Sequence, residues 1–267
     1  MRTRLALSLA ISTLLFSGSA FAGTMCTLIT DAGANKVIKQ EGECDQRLSP
    51  ASTFKIALSL MGFDSGFLVD TKLPALPFHE GYVASIASWR NTTDPTSWMK
   101  NSVVWYSQRL TEWLGTDRFQ RYVTEFKYGN QDISGDKGKD NGLTNSWLSS
   151  SLKISPQEQT TFLRQIIHRQ LKVSPQAYDM TDEILKVGTL PDGWEIRGKT
   201  GSGNALKADG TRDPDRQLGW FVGWAKKADK TVIFVRNIQD DKKQDSFASI
   251  RARESMMADL PAILSNQ

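Results

Sequence analysis

Apolar positions recur with two different periods along the chain. Near its start, Met25–Thr30 and Lys36–Gln40 are short strand-like runs separated by Asp31-Ala32-Gly33-Ala34-Asn35, a hairpin-type connection. Near its end, Trp194–Thr200, Gln217–Ala225 and Thr231–Ile238 read as strands, joined by polar turns at Ala208–Asp215 and Lys226–Lys230. The charge run Asp240–Asp245 reads as a solvated loop, and Phe247–Leu264 as a closing amphipathic helix. Between these ends, Gly62 to about Pro191 reads as helices and loops, broken by Leu73-Pro74-Ala75-Leu76-Pro77, Thr93-Asp94-Pro95 and the Asp132–Gly142 loop. Ser155-Pro156-Gln157-Glu158 is a helix start with Glu158 at the capping-box position, and it leads into Phe162–Leu171. Strands at both ends and helices between them predict an α+β fold. Its antiparallel sheet is built from both chain ends with flanking helices, and an all-helical lobe is inserted at about 62–191.

One helix start differs from the others. Ser49 suits an N-cap and Pro50 the first helical position, and the apolar run Ile56-Ala57-Leu58-Ser59-Leu60-Met61 follows. Ser52 then falls in the first turn, and Lys55, three residues on, shares its face. A hydroxyl, an amine and free N–H groups at a positive helix end are what an acyl-transfer nucleophile needs. The spacing S-x-x-K occurs four times, at Ser52, Ser97, Ser134 and Ser150. Ser134 lies in a Gly/Asp/Lys loop, Ser150 opens a polar serine run, and Ser97 precedes only a short apolar stretch. Ser52 alone combines a cap, a proline and a long apolar helix.

Composition narrows the chemistry. The chain has 267 residues, 39% of them hydrophobic, enough for one large domain or two intimate lobes. Met1-Arg2-Thr3-Arg4 is a basic start, Leu5–Phe16 is apolar, and Ala20-Phe21-Ala22 has the small-x-small pattern of a signal-peptidase site. Residues 1–22 are therefore expected to be a cleaved signal peptide, and 23–267 a single exported, periplasmic domain with no membrane span. Without Arg2 and Arg4 there remain 31 basic and 29 acidic residues, a net charge of +2, too near neutral to imply nucleic acid or an anionic membrane as partner. Cys26 and Cys44 are either a disulfide or two buried small hydrophobes. With two histidines, His79 and His168, and no H-x-H, H-E-x-x-H or G-x-S-x-G, neither a zinc hydrolase nor a Ser-His-Asp enzyme is indicated. His168, in a helical pattern, reads as a packing or surface residue. Asp136–Asn145 lacks the glycine and glutamate register of a calcium loop.

Three further elements accompany Ser52: Ser102-Val103-Val104, Tyr128-Gly129-Asn130 and Lys199-Thr200-Gly201. In this order and spacing, S-x-x-K, S-x-V, Y-G-N and K-T-G resemble the signature of the class D serine β-lactamases (oxacillinases), within the penicillin-recognising enzymes. The resemblance covers essentially the whole mature chain, including Trp147-Leu148 and Gly219-Trp220-Phe221-Val222-Gly223-Trp224; Tyr-Gly-Asn stands where class A enzymes have Ser-Asp-Asn.

The resemblance implies hydrolysis of the β-lactam amide through a Ser52 acyl-enzyme, and β-lactam resistance. It implies that Lys55, with its pKa depressed by burial, adds carbon dioxide (from bicarbonate) as a carbamate that serves as general base in both half-reactions. No other cofactor or metal is implied. Trp147 would donate its indole N–H to that carbamate, Ser102 would shuttle a proton to the β-lactam nitrogen, and Lys199 would supply positive potential. Thr200 and Arg251 would hold the substrate carboxylate, with Arg253 close by Arg251. Gly201 would allow close approach, the N–H groups of Ser52 and Ser202 would form the oxyanion hole, and Val104 and Trp105 would line the pocket. The expected partner is a small β-lactam, and the protein a monomer or homodimer. The alternatives with nearly the same residues are a penicillin-binding D,D-peptidase and the penicillin-sensing domain of a receptor.

Overall fold

The computed structural model describes residues 23–265, so the expected leader lies outside the described residues. Six strands form one antiparallel sheet: β1 (Gly23–Asp31), β2 (Val37–Gly42), β3 (Lys186–Thr189), β4 (Glu195–Leu206), β5 (Arg212–Lys227) and β6 (Lys230–Gln239), in the order β2-β1-β6-β5-β4-β3. β1 lies against β6, with Leu28 opposite Val235, so both chain ends meet in the sheet's centre. In β5 successive side chains serve different cores, as the period of two requires. Trp220, Val222 and Trp224 face the helical lobe, while Phe221 and Ala225 face the C-terminal helix. A strand covered on both faces reads as a continuous apolar run, which is why Leu218–Ala225 is buried throughout.

Among the described residues seven α-helices accompany the sheet: α1 (Lys55–Ser65), α2 (Pro95–Asn101), α3 (Val104–Glu125), α4 (Gly142–Asn145), α5 (Pro156–Ile167), α6 (Pro175–Ile184) and α7 (Ala248–Leu264). α1 is buried on every side from Lys55 to Phe63, the mark of a central helix. α7 covers the opposite face of the sheet through Ala248, Ala252, Met256 and Leu260. α5 starts with the capping box predicted for it: Glu158 N donates to Ser155 Oγ (3.2 Å) and Ser155 N to Glu158 Oε2 (2.9 Å). It ends at Ile167, with His168 capping it and its Nε2 2.8 Å from the carbonyl of Ala32. Cys26 and Cys44 form a disulfide tying β1 to the segment after β2.

Two local expectations are corrected. Ser49 is no N-cap: α1 is entered through a 3₁₀ turn, Ala51–Phe54, with no side-chain cap. Instead Ser49 Oγ donates to the carbonyl of Trp147 (2.8 Å) and accepts from Ser149 N (2.9 Å), pinning a distant loop. The edge strand β3 has four residues and a single large apolar side chain, Val187, too little for a periodic signal.

Candidate active site

The 3₁₀ turn before α1 holds Ser52 at the junction of the two lobes. Thr53 N donates to Pro50 O (3.1 Å), Thr53 Oγ1 to the same oxygen (2.7 Å), and buried Gln159 Nε2 to Thr53 Oγ1 (2.9 Å). Ala51, buried before the serine, has φ of 48°, a conformation a non-glycine residue keeps only where its surroundings enforce it. Ser52 is half-buried, and Lys55 Nζ lies 3.2 Å from its Oγ. Lys55 is fully buried and has no carboxylate partner among the described residues. Burial, and then the charge of Lys199, hold its pKa well below the ordinary lysine value, which favours the neutral amine.

Trp147 is packed against this turn, its ring centroid 5.7 Å from Phe54 and 6.3 Å from Phe119. Its backbone is fixed by Ser49, yet its buried indole N–H has no partner. A buried donor left unpaired costs about 1–3 kcal/mol, so such a group marks a place for an acceptor.

Lys199 brings the second lobe's hydroxyl to the sheet. Its Nζ donates to Ser102 Oγ (3.0 Å) and to Thr200 O (3.0 Å). Ser102 ends α2 in the left-handed conformation (φ 59°, ψ 35°), which turns its side chain out of the helix toward β4. Burial, and then the charge of Arg253, lower the Lys199 pKa to about 7.

The outer edge of β4 is open here because β3 pairs only as far as Arg197; Gly198 N then donates to Leu185 O. By the strand period, the N–H of Ser202 points out of the same edge. A side chain at Gly201 would put its Cβ 2.8 Å from Pro50 O and 3.1 Å from Thr53 N. The glycine therefore lets the strand edge close on the nucleophile turn. The turn that carries Ser52 and the open edge of β4 at Ser202 thus lie side by side.

One hydroxyl beside these residues escaped the sequence reading. Ser202 Oγ donates to Ser249 Oγ (2.6 Å) on the first turn of α7. Gly219, opposite Ser202 in the ladder, makes this possible: a Cβ there would lie 2.3 Å from the carbonyl carbon of Ala248. A glycine inside a run of large apolar residues was the available signal. Arg251, expected to anchor a carboxylate, is paired within the protein. Two residues beyond Ser249 on a helix it projects roughly 200° away, and its guanidinium is held by the fully buried Asp240 and by the carbonyl of Ser246.

Trp105, expected to line the pocket, lies inside the helical lobe. It is completely buried in the helical lobe, stacked on Tyr82, with Nε1 donating to Trp89 O (2.7 Å). Val104 is buried beside it. Tyr128-Gly129-Asn130 is scaffold: Asn130 accepts from Lys153 N (2.9 Å) and donates to Ser151 O (2.8 Å), and a Cβ at Gly129 would strike Lys153 O at 1.9 Å. Ser97 is occupied as well, its Oγ accepting from Asp94 N in the capping box of α2.

Ser52 and Lys55 thus lie next to Ser102, Lys199, Thr200 and Ser202, with Trp147 packed behind the nucleophile turn. Such a set can transfer an acyl group to serine, with lysine amines moving the protons. Comparison with known proteins agrees with this chemistry. Residues 25–261 match the family described as "Penicillin binding protein transpeptidase domain". The chain is 44% identical to Beta-lactamase OXA-9 of Klebsiella pneumoniae, over 91% of this chain and 89% of that one. It is 38% identical to Beta-lactamase OXA-1 of Escherichia coli, over 88% and 83%. Among solved structures, the OXA-427 class D β-lactamase superposes with a TM-score of 0.86 at 53% identity, covering 90% of this chain and 98% of that one.

Proposed function

Because the chain belongs to the penicillin-binding transpeptidase-domain family, and within it to the class D β-lactamases, we propose that it opens the β-lactam ring through an ester on Ser52. The observation that carries this route is the buried Lys55 amine, 3.2 Å from Ser52 Oγ and unpaired by any carboxylate among the described residues.

The base at Lys55 takes the Ser52 proton as Oγ attacks the ring carbonyl, and the N–H groups of Ser52 and Ser202 receive the developing oxyanion. The ring nitrogen departs with a proton delivered through Ser102, whose hydroxyl Lys199 contacts. The substrate carboxylate is held by Lys199 and the hydroxyls of Thr200 and Ser249, the last standing where Arg251 was expected. Water then attacks the ester with help from the same base.

A carbon dioxide adduct fits the residues present: a neutral buried amine to receive it, and the unpartnered Trp147 N–H to donate to it. Bound on Lys55 Nζ, carbon dioxide would supply an anionic oxygen base in place of the amine. The Cys26–Cys44 disulfide supports an oxidising compartment and, with the basic-apolar-small order of residues 1–22, export to the periplasm.

Steady-state turnover of a chromogenic cephalosporin tests the route. Continuous hydrolysis is expected. A stoichiometric burst without turnover would instead place the chain with the D,D-peptidases or penicillin sensors.

A further inference from the structure

The open edge of β4 does not end at the residues that hold the reacting amide. It continues past Thr200, Lys199 and Gly198 into a cleft of about 490 Å³ between α2, the start of β3 and α7. Lys100 of α2, Lys186 of β3 and Arg253 of α7 line it, together with Lys199 and Thr200 of the active site itself. Its single carboxylate, Glu183, is tied to Lys186 at 2.5 Å. The side chains of Lys100 and Arg253 have no ion pair or hydrogen bond with any described residue. Arg253 is near enough for its charge to disfavour an ammonium at Lys199.

Direction along the strand decides what this cleft meets. The scissile carbonyl sits at Ser202, and the ring carboxylate at Thr200 and Lys199, two to three residues back. The cleft lies one step further along the same line, so it receives what projects from the carboxylate side of the bicyclic ring. In a cephalosporin that is the C3′ substituent. Three exposed cations around one cleft, two of them without a partner, give it positive potential that attracts an entering anion and that salt weakens.

We propose that this cleft is a second anion subsite, and that it favours β-lactams carrying a second negative charge on the carboxylate side of the ring, such as cephalosporins with an acidic C3′ group. The proposal rests on the Ser52 route above. It assigns Lys100, Lys186 and Arg253 to substrate discrimination and gives none of them a part in bond making.

The test uses two cephalosporins with the same 7-acyl group, one with a C3′ substituent ending in a carboxylate and one ending in the corresponding primary amide. The readout is the ratio of their kcat/KM values. A ratio above one is expected for the wild-type protein, shrinking as salt screens the cleft. Arg253→Gln, Lys100→Gln and Lys186→Gln should each lower the ratio by roughly twofold to fivefold, the scale of an exposed charge acting on an anion. Their combination should bring it to about one. Lys100→Arg and Lys186→Arg should keep it, and Glu183→Gln, which frees Lys186, should raise it. A wild-type ratio at or below one, or a ratio indifferent to the combined variant, overturns the subsite while leaving the hydrolytic route standing. Folded wild-type protein that turns over neither compound overturns the hydrolytic route, and the subsite falls with it.

Discussion

Ser249 and Ser202 share a 2.6 Å hydrogen bond between hydroxyls, joining the first turn of α7 to the outer end of β4. If Ser249 helps hold the substrate carboxylate, as proposed above, Ser249→Ala should lower kcat/KM for anionic β-lactams through KM. The lost hydrogen bond to a charged group is worth ~1.5–3 kcal/mol, tenfold or more. Unchanged KM, with a folded protein, would remove Ser249 from the carboxylate site.

Arg251→Ala should act differently. It leaves the Asp240 carboxylate, which is 0% exposed, without its counter-charge, and breaking such a pair costs about 3–5 kcal/mol. The main effect should be a lower Tm. A mutant of unchanged Tm with a tenfold lower kcat/KM would show that Arg251 touches substrate after all.

Ser52→Ala should abolish turnover with the fold intact, because its hydroxyl contributes little to packing in the half-exposed turn. Mass spectrometry of the wild-type protein with a slow substrate should place the acyl group on the peptide containing Ser52. An adduct on Ser150 or Ser134 would identify a different S-x-x-K.

Trp147→Phe keeps a ring against Phe54 and Phe119 and removes only the N–H. If that N–H serves a carbon dioxide adduct on Lys55, the variant should need more bicarbonate than the parent and should accumulate acyl-enzyme. Activity of the parent should fall on acidification, since protonating the Lys55 amine removes the species that binds carbon dioxide, and bicarbonate should restore it by mass action. Rates of both proteins indifferent to bicarbonate across the pH range would leave Lys55 acting as an unmodified amine.

Lys199 makes a prediction about stability. Its folded pKa, about 7, lies below its ordinary value of 10.5, so between these pH values the unfolded chain binds more protons than the folded one. Its contribution therefore makes stability rise with pH through that window, and below about 7 its full cost is present. Lys199→Met should raise the urea midpoint at pH 7 while abolishing activity, and should flatten the pH dependence above 7. A destabilised Lys199→Met protein would contradict this account of the buried ammonium.

Much of this was legible before any coordinates. The central strands are legible because they carry long apolar runs, which the four-residue β3 lacks, and Ser52 stands out because only one S-x-x-K opens a long buried helix. The failures have a common physical form. Ser49 was taken for a cap, but its hydroxyl serves Trp147 and Ser149, roughly a hundred positions away. Arg251 stands out and Ser249 does not because charge is visible in a sequence and helix phase is not. That phase is set by the contact between Gly219 and Ala248, which no local pattern encodes. Trp105 carried no mark to distinguish a wall of the pocket from the interior of the lobe.

The pairing of β1 with β6 governs when the enzyme can exist. Leu28 meets Val235, so the first strand to leave a ribosome or a translocation channel must wait for nearly the whole chain before it finds its neighbour. Closing so long a loop is slow compared with forming helices, and until then both faces of β1 and the edge that takes β6 lack cover. A nascent chain halted anywhere before β6 lacks the strand that joins the β1–β2 hairpin to the rest of the sheet, and so stays threadable. The order of strands thereby delays assembly until synthesis is nearly finished, which is the condition a chain must meet to cross a membrane unfolded.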